Sequence, residues 1–370
     1  MRECLPVFRE YSWLTSYEQS QHRSDKHLRA DYTLPRTNRN NAFIIPAMTS
    51  IPLPARAAAH PNLRALNVLR DLPQVADLVE LCFSHSLDRD GQGYLREIRR
   101  AGRDPSWMRS MENASSTPLT GYVWEADGKI VGNTSLIGFR HRGRKITMLA
   151  NVAVHPEYRH RGIARALAEQ ALDRARTRGA AELWLNVRDD NPDALDLYAD
   201  IGFCERARRT AWLAADLPAD PPPDNGFAVT ARPARFWPTQ RDWLARLHPD
   251  ELAWYRGWNF NSLAPGLWNW LYLLFVDMNL RQWAALRGDQ LQAVLSWTPS
   301  GARHEPLWLA LGQDSAPEAA THLLVHARRE LGQRKFVLEH PAGPADESIR
   351  AAGFRPERTL VWMRADGATK

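Results

Sequence analysis

HPEYRHRGIARAL, residues 155–167, places four basic side chains and one glycine around the start of an alanine-rich predicted helix. After His155, the basic residues are Arg159, His160, Arg161 and Arg165. Three interpretations are open at this point: a nucleic-acid-binding patch, a solvated helix end, or the wall of a pocket for a phosphorylated small molecule. Because they imply different functions, the rest of the sequence has to discriminate between them.

The glycine of this run indicates an anion site. Arg159 to Ala164 has the form R-x-x-G-x-A between a predicted strand and a predicted helix. A glycine lets backbone N–H groups approach a phosphate because no Cβ intervenes, and the helix N-terminus adds unsatisfied donors and partial positive charge. Flanking arginines can reach the phosphate oxygens. The pattern fixes only three positions, so alone it does not exclude a solvated helix start.

Composition indicates a globular protein with two domains. The chain has 370 residues, of which 44% are hydrophobic and 24% charged, enough for two separate cores. The formal net charge of +6 favours anionic partners, but arginine is spread over both halves and mostly serves solubility. Cys4, Cys82 and Cys204 lie far apart. Their odd number and spacing predict neither a disulfide framework nor a metal site.

Residues 1–60 are polar and basic and lack sustained periodicity, so we expect a poorly ordered extension. They contain no apolar core of a secretory signal. Met48 is an alternative start, which would leave residues 1–47 outside the native protein. No run of about eighteen apolar residues occurs, so no membrane span is expected. We therefore expect a soluble, cytoplasmic protein that does not associate with membranes.

Residues 61–217 are predicted to form an α+β unit. A short strand and a helix are followed by a hairpin that turns at Asp127-Gly128, a strong tight-turn signal. A third antiparallel strand leads into the basic run and its helix. Another strand and a short helix follow, with Asn191 as N-cap and Pro192 at the first helical position. Residues 205–217 are expected to close the unit.

The order of elements repeats beyond a proline-rich segment. Residues 218–226, with consecutive prolines, are the predicted linker. Residues 227–370 again contain a strand, a helical stretch, a hairpin at Gly288-Asp289, and a strand–helix–strand–helix–strand series. The chain is therefore predicted to contain two divergent copies of one unit, about 155 residues apart. Each is expected to be a mixed, mostly antiparallel central sheet flanked by helices.

The short helix NPDALDLYADIGF adds a second candidate element. Asn191 and Tyr198 are seven residues apart, which is two helical turns, so both project from one face. An amide at the helix start and a phenol two turns later can point into one cleft. The alternative is that Tyr198 is an ordinary core aromatic.

Taken together, NVAVHPEYRHRGIARAL and LWLNVRDDNPDALDLYADIGF resemble the acetyl-CoA-binding core of the GNAT N-acetyltransferase superfamily. The resemblance covers about residues 63–217 and is strongest over 150–203. It implies that the R-x-x-G-x-A loop holds the CoA pyrophosphate, that the preceding splayed strand pairs with the pantetheine arm, and that Asn191 contacts the cofactor. The implied cofactor residues are Val152, Ala153, Val154, Arg159, His160, Arg161, Gly162, Ile163, Ala164, Arg165 and Asn191.

The resemblance also implies a reaction. A primary amine of a small molecule or a peptide attacks the thioester of acetyl-CoA, a backbone N–H of the 152–154 strand stabilises the oxyanion, and Tyr198 protonates the leaving thiolate. No metal is required. Nucleic-acid binding is disfavoured because the basic run is short and has few aromatic neighbours.

One position departs from the pattern. Several members that acetylate protein N-termini carry a glutamate base five residues ahead of the asparagine, where this sequence has Asn186. Glu125, a water chain, or a substrate amine that is already partly neutral are the remaining options for deprotonation. The missing carboxylate also leaves open a non-catalytic CoA-binding or regulatory protein.

The second copy is expected to be degenerate. Its loop QDSAPEAATHLL lacks the glycine motif and places Asp314 and Glu318 where phosphates need positive charge. Aligning the two Gly-Phe ends puts Ala342 opposite Asn191 and Ile349 opposite Tyr198. We therefore expect this copy to complete the substrate cleft, with tryptophans of ELAWYRGWNFN lining an aromatic pocket, or to form a homodimer interface.

Overall fold

The computed structural model describes residues 60–84, 92–93, 95–96, 98–99, 120–215, 222–223, 225–256, 260–266, 279–332 and 334–367. Of the predicted extension at residues 1–60, residues 1–59 lie outside these ranges. The strands are β1 Leu63–Ala65, β2 Thr120–Ala126, β3 Lys129–His141, β4 Arg144–Val154, β5 Glu182–Arg188, β6 Cys204–Ala214, β7 Phe227–Ala231, β8 Arg281–Arg287, β9 Gln290–Trp297, β10 Glu305–Leu311, β11 Phe336–Pro341 and β12 Phe354–Asp366. The helices are α1 Val68–Phe83, α2 Ile163–Thr177, α3 Pro192–Asp200, α4 Trp237–Leu247, α5 Ala253–Arg256, α6 Glu318–Leu331 and α7 Asp346–Ala351.

The strands form one continuous sheet in the order β1-β2-β3-β4-β5-β12-β6-β11-β10-β9-β8-β7. Among the described pairs, β4/β5 and β10/β11 are parallel and the others are antiparallel. Helices pack on the sheet through buried apolar clusters. The predicted fold class, α+β with a mixed and mostly antiparallel sheet flanked by helices, is confirmed.

The two halves exchange a strand. β12, from the end of the chain, lies between β5 and β6, and β6 lies between β12 and β11. The β1–β5 series is therefore completed by β12, and the β7–β11 series by β6. The expectation that residues 205–217 close a separate first unit is wrong, because β6 pairs with two strands of the other half. Local sequence does not encode which distant strand a segment joins. The chain division at 218–226 remains a prediction.

Polar contacts hold the exchanged strands in register. Thr210 of β6 lies opposite Thr359 of β12, with 2.9 Å between the two hydroxyl oxygens. Arg209 of β6 donates from Nε to Glu339 of β11 at 2.5 Å, and both side chains are almost fully buried. Arg209 also donates from Nη1 to the carbonyl of Leu247 at the end of α4. Because losing one partner of such a buried pair costs about 3–5 kcal/mol, the pair opposes slippage of the strands.

Local signals set several element boundaries as predicted. The β2–β3 hairpin turns at Asp127 and Gly128, whose φ angles are +50° and +72°, as a tight twisted hairpin requires. The first predicted strand, residues 63–69, is shorter in the structure, where only Leu63–Ala65 form β1. Asn67 then accepts a hydrogen bond from the Arg70 N–H and starts α1. The cap overrides the weak strand pattern.

We predict that residues 60–217 do not fold by themselves. Without β12, both β5 and β6 lose a strand partner, and the apolar side chains that Val361 and Met363 contribute to the first half are missing. The fragment should show no cooperative thermal transition by circular dichroism. Co-expression with residues 218–370 should restore a folded complex that elutes at the volume of the intact chain. A cooperative transition in the isolated fragment would contradict this.

Candidate functional site

The site lies where β4 and β5 separate. These parallel strands pair only at their beginnings, from Ile146 opposite Glu182 to Met148 opposite Trp184. β4 continues to Val154 along β3 alone. The second half of β4 therefore presents one edge to an open gap, and α2 and α3 lie beside that gap on one face of the sheet.

The backbone of β4 directs donors into the gap. The His155 N–H donates to the Val131 carbonyl of β3 at 2.8 Å. Since N–H groups alternate in direction along a strand, those of Val152 and Val154 point away from β3 and into the gap. The structure thus places the predicted strand residues Val152, Ala153 and Val154 at the edge of the gap, with Ala153 turned toward β3.

The loop before α2 is open at its centre. Gly162 is the N-cap of α2 with φ +78°, and His160 also has a positive φ of +59°. A Cβ at Gly162 would have no protein atom within 4 Å, so it would project into the free space in front of the helix. The first-turn N–H groups of α2, from Ile163 to Arg165, precede the first intrahelical bond from Ala166. These groups, with the space in front of them, fit an anion such as a pyrophosphate.

The arginines form the rim of this loop. Arg159 donates from Nε to the Val154 carbonyl at 3.2 Å. Arg161 stacks 4.9 Å from the Tyr158 ring centroid and donates to the Glu157 carbonyl. These contacts hold the guanidinium groups beside the loop and leave its centre to the backbone N–H groups.

Arg165 connects the loop helix to α3. Its Nη2 lies 2.7 Å from Oδ2 of Asp200 at the end of α3. The ion pair therefore fixes the position of α3 relative to residues 159–162, the anion loop. Both partners are largely exposed, so the pair orients the helices more than it stabilises the fold.

α3 places Asn191 and Tyr198 beside the gap. Asn191 is buried and its Oδ1 accepts a hydrogen bond from the Ala194 N–H at 3.2 Å, which caps the helix. Tyr198 is also buried and packs against α2 and β5, in edge contact with Phe203. Both side chains are therefore buried on a helix whose start is set by Asn191.

The structure argues against Glu125 as a base. This residue lies on β2, which is separated from β4 by β3. Arg64 donates to its Oε2 from Nε and Arg70 from Nη2, both at 2.7 Å. These guanidinium groups, Arg64 most of all, lower the pKa of the Glu125 carboxyl. A carboxylate with lowered proton affinity is a poor proton acceptor.

Asn186, the position that departs from the family pattern, lies on β5 opposite Trp362 of β12. Its Nδ2 is buried and has no hydrogen-bond partner among the described residues. An amide cannot accept the proton of a substrate ammonium group, so the site contains no carboxylate at this position.

The second half covers the opposite face of the first half, which sequence reasoning did not locate. Trp254 of α5 is buried and packs 4.9 Å from Phe139 and 5.9 Å from Trp184, measured between ring centroids. Two acidic residues just before α5 pair with arginines of the first half, Asp250 with Arg142 and Glu251 with Arg206. In the sequence, the aromatic residues of ELAWY are the signal for this contact, but they do not reveal which part of the first half they pack against.

Two further findings concern the described residues as a whole. No helix among them is long and apolar enough to cross a membrane. No group of three or more His, Cys, Asp or Glu side chains among them is arranged to hold a metal ion.

Comparison with known proteins gives matches to one family. Residues 74–203 match the Acetyltransferase (GNAT) family. Over 61 residues the chain is 46% identical to the [ribosomal protein bS18]-alanine N-acetyltransferase of Escherichia coli K12, covering 16% of this chain and 41% of that protein. Over 197 residues it is 35% identical to the mycothiol acetyltransferase of Salinispora arenicola, covering 50% of this chain and 57% of that protein. The chain thus spans about half the length of these relatives.

Solved structures are similar over more of the chain. A GCN5-related N-acetyltransferase from Sphaerobacter thermophilus matches with a TM-score of 0.48 and 16% identity, over 83% of this chain and 96% of that one. A tandem GNAT protein from the clavulanic acid biosynthesis pathway matches with a TM-score of 0.39 and 17% identity, over 83% and 99%. The family match covers both the anion loop and α3. Residues 74–203 are therefore similar to the Acetyltransferase (GNAT) family.

Proposed function

We propose that this protein transfers the acetyl group of acetyl-CoA to a primary amine. The observation that supports this most is the continuity of the gap: the free N–H groups of Val152 and Val154 lead directly to the open N-terminus of α2. An extended ligand with an anionic end and an amide-containing arm fits this arrangement. CoA has both features.

Each predicted residue then has a physical task. The N–H groups around Gly162 bind the pyrophosphate, with the arginine rim adding charge. Val152 and Val154 donate to the pantetheine arm and to the developing oxyanion. Acetyl-CoA supplies an activated thioester. Tyr198 donates its phenolic proton to the leaving sulfur, and burial beside the gap keeps competing water away from that transfer.

The acceptor is proposed only as a class. The relatives named above are, by their names, an N-acetyltransferase of a ribosomal protein alanine and a mycothiol acetyltransferase. The first name specifies acetylation of a nitrogen on a protein alanine. We therefore propose an amine acceptor, either a peptide or a small molecule, bound on the sheet face that α5 covers.

The alternative is a non-catalytic CoA-binding or regulatory protein. The observation that favours it is Asn186, together with the arginine-paired state of Glu125. CoA binding without thiol release on a broad panel of amines and peptides would favour this alternative over the enzyme.

The second half is proposed to hold no cofactor. The Ala316 N–H before α6 donates to Oε1 of Gln292 at 3.2 Å, and the N-cap Pro317 has no N–H to offer. Ile349, opposite Tyr198 in the predicted alignment, is fully buried in the second core. The donors that hold an anion before α2 are thus occupied or missing before α6.

Isothermal titration with CoA should accordingly give one equivalent bound per chain. A second equivalent of similar affinity would show that the β10/β11 side also binds cofactor and would contradict the degenerate second copy.

Replacing Gly162 with glutamate should lower CoA affinity by about 10²-fold or more, because the new carboxylate fills and charges the space meant for the pyrophosphate. Gly179→Glu is a matched control. Gly179 also has a positive φ, +73°, and open space around its Cβ position, but it lies at the other end of α2. The backbone strain is therefore similar in both variants. Equal CoA affinity in the two would dispose of the loop assignment.

Tyr198→Phe should leave CoA affinity nearly unchanged and reduce kcat by about 10²- to 10⁴-fold, since only a proton donor is removed. Tyr122→Phe, a partly buried core tyrosine on β2, serves as control. Thiol release with an amine substrate measures both. If Tyr198→Phe turns over like the parent protein, the acid role belongs to another group.

A further inference from the structure

β4 contains an irregularity at the start of the free edge. Ser135 of β3 pairs with Ala150, whereas Asn133 pairs with Ala153, so β4 advances three residues while β3 advances two. Asn151 and Val152 together face the single residue Thr134. Asn151 has a φ of +54°, the left-handed conformation that a non-glycine residue seldom adopts. This is a β-bulge with an asparagine at its strained position.

The bulge decides which N–H groups reach the gap. After it, His155 and Ala153 direct their N–H groups to β3, as the 2.8 Å bond from His155 to Val131 shows. Ala150 lies opposite Ser135, two residues along β3 from Asn133, the partner of Ala153, so Ala150 also directs its N–H group to β3. Before the bulge, the N–H groups of even-numbered β4 residues therefore point to β3. Without the extra residue, Val152 and Val154 would keep that direction and bond to β3. The bulge is therefore what frees them.

A buried polar cluster holds the bulge. Asn133 is fully buried and donates from Nδ2 to the carbonyl of Asn151 at 2.9 Å. Ser135, also buried, places its Oγ 3.4 Å from Asn133 Nδ2 and 3.5 Å from Asn151 Nδ2. The Asn133 amide therefore bonds to the backbone of the bulge itself, at the residue with the positive φ. Losing this hydrogen bond would disfavour the bulged conformation.

The second half provides an internal comparison. Both halves share an irregularity beside their first hairpin, at Trp124/Glu125 and at Ala285/Leu286. Asn133 pairs with the residue before Trp124, and Val294 pairs with the residue before Ala285. Asn133 and Val294 therefore occupy corresponding positions in the two halves. The ladder between β9 and β10 runs without a register shift through Val294. Where the amide is absent, the bulge is absent too.

We infer that Asn133 is a positioning residue of the acetyl-transfer site. It holds Asn151 in the left-handed conformation and thereby aims the Val152 and Val154 N–H groups at the thioester and the pantetheine arm. It touches neither the acetyl-CoA nor the amine. The inference rests on the proposed function, since the aimed donors matter only if a thioester binds there.

The test is Asn133→Val, which installs the residue of the second half. The kcat for acetyl transfer should fall by about 10²-fold, the usual effect of losing an oxyanion donor. Affinity for CoA should change by less than about tenfold, because the loop at Gly162 is untouched. Thr134→Val is the matched control, because it introduces the same residue at the neighbouring position of β3. The Thr134 hydroxyl is buried and has no hydrogen-bond partner among the described residues. It should turn over like the parent protein.

A second substitution separates positioning from folding. Asn133→Val combined with Asn151→Gly should recover most of the lost kcat, since glycine adopts a positive φ without support. If Asn133→Val alone fails to fold, the double variant should fold and turn over. Parent-like kcat in Asn133→Val, equal losses in both valine variants, or no recovery in a folded double variant would each overturn the inference. An inactive parent protein that still binds CoA would instead refute the proposed function.

Discussion

The ladder between β6 and β12 is the constraint on which the rest of the structure depends. Each strand comes from one half and completes the sheet of the other, so neither sheet is complete without the distant strand. Such pairing is slow to find, because a long loop must close before any contact rewards it. Once formed, it makes the two halves one sheet. It also brings α5 of the second half over the face of the first half, beside the gap.

The gap itself arises because β4 and β5 do not stay paired along their lengths. β4 and β5 begin as parallel neighbours and then diverge, which leaves donors of β4 without a strand partner at a point where sheets ordinarily pair them. The anion loop lies at the end of these donors, and its open centre depends on Gly162 more than on the arginines around it. Charged side chains therefore surround the site, while backbone N–H groups form its centre. Arg165 likewise lies at the periphery, where its contact with Asp200 orients α3.

Two of the differences between the halves have large structural effects. Both halves have the same order of strands and the same irregularity beside the first hairpin. They diverge at Asn133 and Val294, where an amide accompanies a bulge and an apolar side chain accompanies an unbroken ladder. They diverge again before α2 and α6, where Gly162 leaves an open helix start and Pro317 closes one.

The sequence by itself determined everything that depends on neighbouring residues: the hairpins at Asp127 and Gly288, the cap at Asn191, and the open helix start at Gly162. These follow from φ preferences and from side chains that bond to nearby backbone. The tertiary structure alone decided the exchange of β6 and β12, the docking of Trp254, the pairing of Glu125 with arginines, and the bulge at Asn151. Each depends on residues far apart in the chain, and the alternation of a strand does not state its partner or its register.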